Sequence, residues 1–226
     1  MDKYSILKQY YGHSAFRAGQ EELIDSILSG RDALCVMPTG GGKSLCYQIP
    51  ALLLPGITLV VSPLISLMKD QVAALKSAGV PAAYINSSLT GEQIRTVYAR
   101  TRKGAYKLIY VAPERLETNS FLSLTQEMDV SFLAVDEAHC ISQWGQDFRP
   151  SYLGIVDFIN ALPRRPIVAA YTATATKQVQ SDILRLLQLQ SPYRIVTGFD
   201  RPNLYFDVRR PKNKFSALAE LIDERR

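Results

Sequence analysis

The sequence is poor in cysteine and histidine, and this scarcity argues against two kinds of site. Its 226 residues include three cysteines and two histidines. The cysteines, Cys35, Cys46 and Cys140, lie far apart and form no C-x-x-C pair, so their spacing supports neither a disulfide framework nor a zinc site. We expect all three to be small buried hydrophobic side chains, and we expect no zinc in this chain.

Long hydrophobic runs, internal repeats and low-complexity tracts are also missing. The longest apolar stretches, such as the one at residues 57–61, have the length of a strand and are too short to cross a bilayer. The first residues, Met1 to Tyr4, lack the charged-then-apolar order of a secretory signal. These features predict a cytoplasmic protein without membrane contact.

Charge alone says little about a partner. The chain has a formal net charge of +5 and a pI near 9.1, and 47% of its residues are hydrophobic and 21% charged. This balance is typical of a soluble globular domain. A mildly basic chain is compatible with a polyanionic partner, although many proteins of this charge bind none.

Strand-sized and helix-sized segments alternate along the chain, which predicts an α/β fold with a mostly parallel sheet and helices on both faces. Strands are predicted at residues 33–36, 57–62, 82–85, 107–111, 132–135 and 167–171. Helices are predicted at residues 20–29, 43–53, 64–77, 90–102, 152–161 and 176–187, with Thr90 and Gln93 forming a capping box. In such folds, ligands bind at the carboxyl ends of the strands.

The pattern changes near Gln190, where basic residues become frequent. Residues 1–197 are therefore predicted to form one domain, and residues 198–226 a connector toward a further domain, with a helix from Lys214 onward. A solvated edge strand followed by a closing helix explains the same composition equally well.

A glycine-rich loop follows the first predicted strand. Successive glycines let backbone N–H groups turn toward an anion, and the next helix directs its positive end to the same place. Lys43 would meet the β- and γ-phosphates, and Ser44 would be a Mg²⁺ ligand. Met37 departs from the general motif, which has glycine there. The predicted nucleotide-binding residues of this loop are Thr39, Gly40, Gly41, Gly42, Lys43 and Ser44.

Two carboxylates follow the apolar residues 132–135. Asp136 is predicted to hold Mg²⁺ with Ser44, largely through water. Glu137 would orient or deprotonate the attacking water, and His139 would sense the γ-phosphate. An Asp-Glu pair after a strand often marks only a helix start, but together with the phosphate loop it predicts a nucleoside triphosphatase. The predicted catalytic residues are Lys43, Asp136, Glu137 and His139.

These motifs, in this order, resemble those of superfamily 2 helicases, and most closely the RecQ family of ATP-dependent DNA helicases, along nearly the whole chain. The resemblance implies a RecA-like P-loop NTPase domain with ATP and Mg²⁺ as cofactors. It also implies 3′→5′ translocation on single-stranded DNA and unwinding of partially duplex DNA in repair and recombination. A bacterial-type cytoplasmic protein associated with the nucleoid is expected.

Further segments resemble the family's adenine-binding and DNA-binding motifs. By that resemblance, Gln20 would hydrogen-bond the adenine edge and Arg17 would pack against the base. His13 takes a position at which family members can carry a stacking aromatic side chain. The resemblance assigns DNA contact or coupling to Ser62, Pro63, Asn86, Arg115, Trp144, Phe148, Arg149, Thr172 and Thr174.

Residues 140–150 are the most diagnostic stretch and contain the single tryptophan of the chain. They resemble the aromatic-rich loop by which this family couples DNA binding to ATP hydrolysis. Trp144 and Phe148 would stack on bases, and Arg149 would pair with a phosphate. A loop that is folded onto the domain by buried aromatic side chains is the simpler alternative. Coupling predicts that the loop has two conformations.

Two other functions remain open at this point. Superfamily 2 RNA helicases share the Asp-Glu-Ala-His sequence, and phosphate loops also occur in nucleotide switches that bind protein partners. The resemblance further implies a second RecA-like domain that supplies an arginine to the nucleotide. Residues 198–204 resemble the approach to that domain, whose motifs do not follow. We therefore expect this chain alone to bind ATP, to hydrolyse it poorly and not to unwind DNA.

Overall fold

The computed structural model describes residues 1–198 and 207–224. Within these residues one sheet contains seven strands: β1 (Ala33–Val36), β2 (Ile57–Val61), β3 (Ala82–Ile85), β4 (Leu108–Val111), β5 (Val130–Val135), β6 (Ile167–Thr172) and β7 (Tyr193–Val196). The helices are α1 (Lys3–Tyr11), α2 (Gln20–Leu28), α3 (Lys43–Leu53), α4 (Ile65–Ser77), α5 (Gly91–Arg102), α6 (Asn119–Gln126), α7 (Ile155–Ala161), α8 (Lys177–Leu186) and α9 (Lys214–Asp223). Short 3₁₀ turns occur at Pro113–Arg115, Ala138–Ile141 and Pro150–Tyr152.

The strand order is β3-β4-β2-β5-β6-β1-β7, and all neighbouring strands are parallel. Parallel strands place all their carboxyl ends at one edge, so the loops after β1, β2, β5 and β6 meet there. Hydrophobic side chains cover both faces of the sheet. In β1, Leu34 and Val36 pack into one core, whereas Ala33 and Cys35 pack into the other, as the alternation of strand side chains requires.

The prediction of a parallel α/β sheet is confirmed. Each of the six predicted strands is present, and so are the helices predicted between them. The capping box of α5 is formed, because Thr90 Oγ1 accepts from the Gln93 backbone at 3.2 Å and Gln93 Oε1 accepts from the Thr90 backbone at 2.8 Å. Cys35, Cys46 and Cys140 are buried free thiols, as expected.

Helices α1 and α6 escaped the sequence analysis, and β7 was foreseen only as the edge-strand alternative. The edge-strand alternative is confirmed for β7, which pairs with β1 and whose side chains alternate between half-buried and exposed. Helix α9 forms where a helix was expected from Lys214, and it buries no side chain. Much of the predicted connector, residues 199–206 and 225–226, lies outside the described residues. None of the described helices combines the length and hydropathy that a membrane span requires.

Candidate functional site

The glycine-rich loop turns sharply between β1 and the start of α3. Gly40 and Gly42 have φ angles of 80° and 82°, in the left-handed region that glycine tolerates best. Lys43 is the first residue of α3, and its Nζ donates to the Met37 carbonyl at 3.0 Å. The Lys43 ammonium therefore lies over the loop, where an anion at the helix N-terminus would meet it.

Gln20 and Arg17 hold the same loop from the other side. The buried Gln20 side chain accepts from the Arg17 backbone N–H at 2.9 Å and donates to the Gly42 carbonyl at 3.2 Å. An Arg17 N–H donates to the Gly40 carbonyl. A Cβ at Gly42 would lie 2.3 Å from Gln20 Nε2, so a larger residue there would displace the Gln20 amide. The predicted adenine-binding segment is thus joined to the phosphate loop.

One open cavity of about 420 Å³ brings these elements together with the carboxylates after β5. Its walls include most of the residues that the sequence predicted for nucleotide binding and catalysis. The walls also include Leu67 and Gln71 of α4, for which the sequence predicted no contact with a nucleotide. The lining residues are His13, Ala15, Arg17, Gln20, Thr39, Gly40, Gly42, Lys43, Ser44, Leu45, Leu67, Gln71, Asp136 and Glu137.

The two carboxylates of this cavity differ in their electrostatics. Asp136 is only 7% exposed, and burial together with the charge of Glu137 raises the pKa of Asp136 to about 6. Glu137 lies 3.3 Å from His139 Nδ1, and this contact lowers the pKa of Glu137. Glu137 adopts φ 48°, an uncommon backbone conformation for a residue with a side chain. Such conformations cluster at functional sites.

His139 connects the carboxylates to the loop that follows β6. Its Nδ1 lies 2.9 Å from Thr172 Oγ1, and that hydroxyl also donates to the Thr174 carbonyl at 3.0 Å. Contacts with the Cys140 sulfur and the Glu137 carboxylate raise the pKa of His139 above its ordinary value. A continuous polar path therefore runs from Glu137 through His139 to Thr172 and Thr174.

The predicted DNA-binding residues lie along the same edge of the sheet, but not all of them face solvent. The Asn86 side chain is buried, and its Oδ1 accepts from the Ser88 backbone and hydroxyl at 3.0 and 2.8 Å. Arg115 donates to the Asn86 carbonyl at 3.3 Å. The Asn86 side chain therefore supports its own loop, and its contact with DNA stays a prediction. Ser62 is also buried, and its hydroxyl has no hydrogen-bond partner among the residues that the structure describes.

The residues after the Asp-Glu-Ala-His sequence fold into a segment, Ser142–Arg149, that we call the aromatic segment. Trp144 is 75% exposed, whereas Phe148 is half-buried. Arg149 donates to the Pro63 carbonyl at 3.2 Å and pairs with Asp147 at 2.8 Å. The alternative in which Trp144 is simply buried is therefore wrong.

Two supporting contacts could not be recognised in the sequence. The Tyr152 hydroxyl donates to the Asp136 carbonyl at 2.9 Å beneath the carboxylates. The Ser142 hydroxyl donates to Asp182, which lies in α8. Neither contact belongs to a local motif, so only the fold brings these groups together.

A phosphate loop, a carboxylate pair and strand-end loops at one edge of a parallel sheet define a nucleotide-binding domain of the helicase type. The family model described as DEAD/DEAH box helicase matches residues 17–182. The chain belongs to this family.

Comparison with curated proteins shows which members of this family the chain resembles. The chain is 49% identical over 223 residues to "ATP-dependent DNA helicase RecQ" of Bacillus subtilis (strain 168), covering 98% of this chain and 38% of that protein. It is 49% identical over 218 residues to the protein of the same name from Haemophilus influenzae, covering 96% of this chain and 35% of that protein. The chain thus spans well under half the length of these relatives.

The fold is also shared with a more distant solved structure. The Pyrococcus furiosus Hef helicase domain superposes with a TM-score of 0.62 over 80% of this chain and 38% of that chain, at 21% identity. This similarity shows a common RecA-like fold.

Proposed function

We propose that this chain is the ATP-binding motor domain of a DNA helicase that couples ATP hydrolysis to 3′→5′ movement on single-stranded DNA and to duplex unwinding in repair and recombination. One observation carries the proposal. The cavity that holds the phosphate loop and the carboxylates is connected through His139 to Thr172 at the end of β6, and the segment that follows His139 in sequence carries the exposed Trp144. The matched relatives, which are named ATP-dependent DNA helicases, support the same function.

Nucleotide binding would rest on the loop and its lysine. The backbone N–H groups at the start of α3 and the Lys43 ammonium suit the β- and γ-phosphates. Lys43 now donates to the Met37 carbonyl, a neutral acceptor that a phosphate oxygen would replace with a stronger, charge-assisted bond. Arg17 and Gln20 line the same cavity and would contact the adenine.

Mg²⁺ fits the donors at the centre of the cavity. Ser44 and Asp136 are oxygen donors of the kind that Mg²⁺ prefers, and both line the cavity. The raised pKa of Asp136 marks a buried negative charge that a cation would stabilise. When bound with ATP, Mg²⁺ would neutralise charge on the phosphates. Glu137, held anionic by His139, would orient the attacking water and accept its proton.

DNA would bind across the loops at the carboxyl edge. The exposed Trp144 offers a face for stacking, which contributes about 1–3 kcal/mol per base in single-strand binding proteins. Arg149, which donates to the Pro63 carbonyl in the loop after β2, would pair with a DNA phosphate. Thr172 and Thr174 would transmit the state of the γ-phosphate from His139 to these loops.

The first test is a titration of the chain with fluorescent Mg·ATP. The Lys43→Ala variant should bind at least about tenfold more weakly, because it loses a charge-assisted contact to phosphate. Lys103→Ala is the matched control, since Lys103 is exposed at the end of α5 and should bind like the unaltered chain. Equal affinity of the two folded variants would contradict the proposed role of the phosphate loop.

Competition between DNA and RNA oligomers tests the nucleic-acid class. We expect single-stranded DNA to change Mg·ATP affinity and a matched RNA to compete poorly. Efficient competition by RNA would favour an RNA helicase, and no effect of either oligomer would favour a nucleotide switch. We also expect slow ATP hydrolysis and no unwinding by this chain alone, since the proposal assigns the catalytic arginine to a second domain. Robust unwinding by the purified chain would refute that assignment.

A further inference from the structure

The aromatic segment begins with a hydrogen bond to a distant helix. The Ser142 hydroxyl donates to Asp182 Oδ2 at 2.7 Å, across 40 residues of sequence. Both residues are buried, and Asp182 is 7% exposed in the middle of α8. A hydrogen bond between a buried hydroxyl and a carboxylate is among the stronger side-chain contacts in proteins. It fixes the first residue of the segment to α8.

The same hydroxyl holds the residue that carries the tryptophan ring. Ser142 Oγ accepts from the Trp144 backbone N–H at 3.2 Å. A hydroxyl has a single proton, and a carboxylate is only an acceptor. Donation to Asp182 therefore directs the Ser142 proton toward α8 and leaves the oxygen lone pairs for Trp144. In this way Asp182 orients the Trp144 backbone without touching it.

The turn around Trp144 is closely packed, while the far end of the segment is more accessible. Gly145 donates to the Ser142 carbonyl at 2.9 Å, and a Cβ on Gly145 would lie 2.2 Å from the His139 carbonyl oxygen. Arg149, at the far end, uses the exposed Asp147 as one of its partners. The attachment at Ser142 is therefore buried, whereas the attachment at Arg149 is more exposed to solvent.

We propose that Asp182 is a positioning residue that holds the aromatic segment, through the Ser142 hydroxyl, with Trp144 presented to solvent for contact with DNA. Helix α8 is well placed for this, because its N-cap Thr176 follows Thr174 by two residues. One helix thus supports the aromatic segment and continues from the loop that contacts His139. The part of this inference that concerns DNA rests on the proposed function.

We call the hydrogen bond between Ser142 and Asp182 the anchor. It uses a different carboxylate oxygen from the ion pair between Asp182 and Arg185, so the two contacts can be removed separately. Oδ2 accepts from Ser142, whereas Oδ1 accepts from Arg185 at 3.1 Å. Asp182→Ala and Ser142→Ala remove the anchor. Arg185→Gln is the matched control, because it removes the partly exposed ion pair and keeps the Ser142 contact. Asp182→Asn is the conservative variant, because its side-chain carbonyl can still accept from Ser142.

The single tryptophan makes the measurement specific to this segment. We would record the fluorescence anisotropy of Trp144 without DNA, exciting beyond the absorption of tyrosine, and verify folding by circular dichroism. The anisotropy should fall in Asp182→Ala and in Ser142→Ala, and it should stay at the unaltered value in Arg185→Gln and close to it in Asp182→Asn. Affinity for oligo(dT) should weaken by about fivefold to tenfold in the two alanine variants, which corresponds to the net contribution of one ordinary intramolecular hydrogen bond.

The outcomes separate the anchor from the proposed function. Native anisotropy in the folded alanine variants would overturn the anchor, and if Asp182→Ala does not fold, Ser142→Ala decides. Reduced anisotropy with unchanged affinity for oligo(dT) would overturn the role of Asp182 in presenting Trp144 to DNA. If the unaltered chain itself shows no response to oligo(dT), the DNA-binding part of the proposed function fails, while the anisotropy without DNA still decides whether Asp182 fixes the segment.

Discussion

The two edges of the sheet differ in how a buried carboxylate is stabilised. At the amino edge, before β1, Asp32 is 2% exposed and pairs with Arg165 at 2.6 Å. It also accepts from the backbone N–H groups of Val168 at 2.9 Å and Gln190 at 2.6 Å. At the carboxyl edge, Asp136 is equally well buried, but its charge lies beside that of Glu137, which raises its pKa.

The amino edge of the sheet thus contributes to stability, whereas the carboxyl edge carries the groups proposed to bind ligands. The Asp32 contacts join the starts of β1 and β6 and the approach to β7, so this carboxylate is fully satisfied within the fold. The carboxyl edge instead leaves the buried Asp136 carboxylate beside a second carboxylate, that of Glu137. Groups arranged to meet a ligand reduce the stability of the fold that holds them.

The largest effect is expected from removing the amino-edge carboxylate. Asp32→Ala should lower the free energy of unfolding by about 3 kcal/mol, because it leaves two backbone N–H groups and a guanidinium without their buried partner. Denaturant unfolding measures this change. Asp129→Ala is the control at the same edge, since the Asp129–Arg164 pair is exposed and should contribute at most about 0.5 kcal/mol. Equal losses of unfolding free energy in both variants would show that the buried and the exposed carboxylate contribute alike to stability.

A glycine at each edge gives the second comparison. Gly42 and Gly79 have nearly the same φ, 82° and 83°, but a Cβ would meet Gln20 only at Gly42. Gly79→Ala should cost about 1 kcal/mol of stability from its left-handed backbone alone. Gly42→Ala should cost roughly 1 kcal/mol more from overpacking and should also weaken Mg·ATP binding. Equal unfolding free energies would show that the contact with Gln20 adds nothing.

The smallest effect, and the one of opposite sign, is expected at Asp136. Burial and the charge of Glu137 disfavour the ionised carboxylate, so Asp136→Asn should raise the free energy of unfolding at neutral pH by up to about 1 kcal/mol. Unfolding would be measured without Mg²⁺ or nucleotide, and the same variant should bind Mg·ATP more weakly because it loses a proposed Mg²⁺ ligand. A clear destabilisation would mean that Asp136 is structural, like Asp32.

Local patterns made much of the site predictable. The phosphate loop is continuous in sequence, so the order of its glycines, lysine and serine is enough to predict its geometry. The Thr90–Gln93 cap is similarly local, since both partners lie within one helical turn. Central parallel strands such as β5 are buried on both faces, and this gives them an apolar run that is easily recognised.

Contacts between distant residues were out of reach. Nothing near Ser142 indicates that its partner is Asp182, and nothing near Asp136 indicates Tyr152. Asn86 was assigned to DNA contact by resemblance, and the sequence did not indicate that its buried side chain accepts hydrogen bonds from Ser88. Strand β7 was hard to find because only alternate side chains are covered, and four residues are too few to reveal that alternation.

The position of β7 also bears on how this chain behaves at high concentration. Among the described residues β7 is the last strand of the sheet, next to β1. A terminal strand offers unpaired backbone groups to which a strand of another molecule can add. β7 is short, and its exposed residues are Arg194 and Val196. A charged side chain on such a strand disfavours intermolecular pairing, and Arg194 places a guanidinium there.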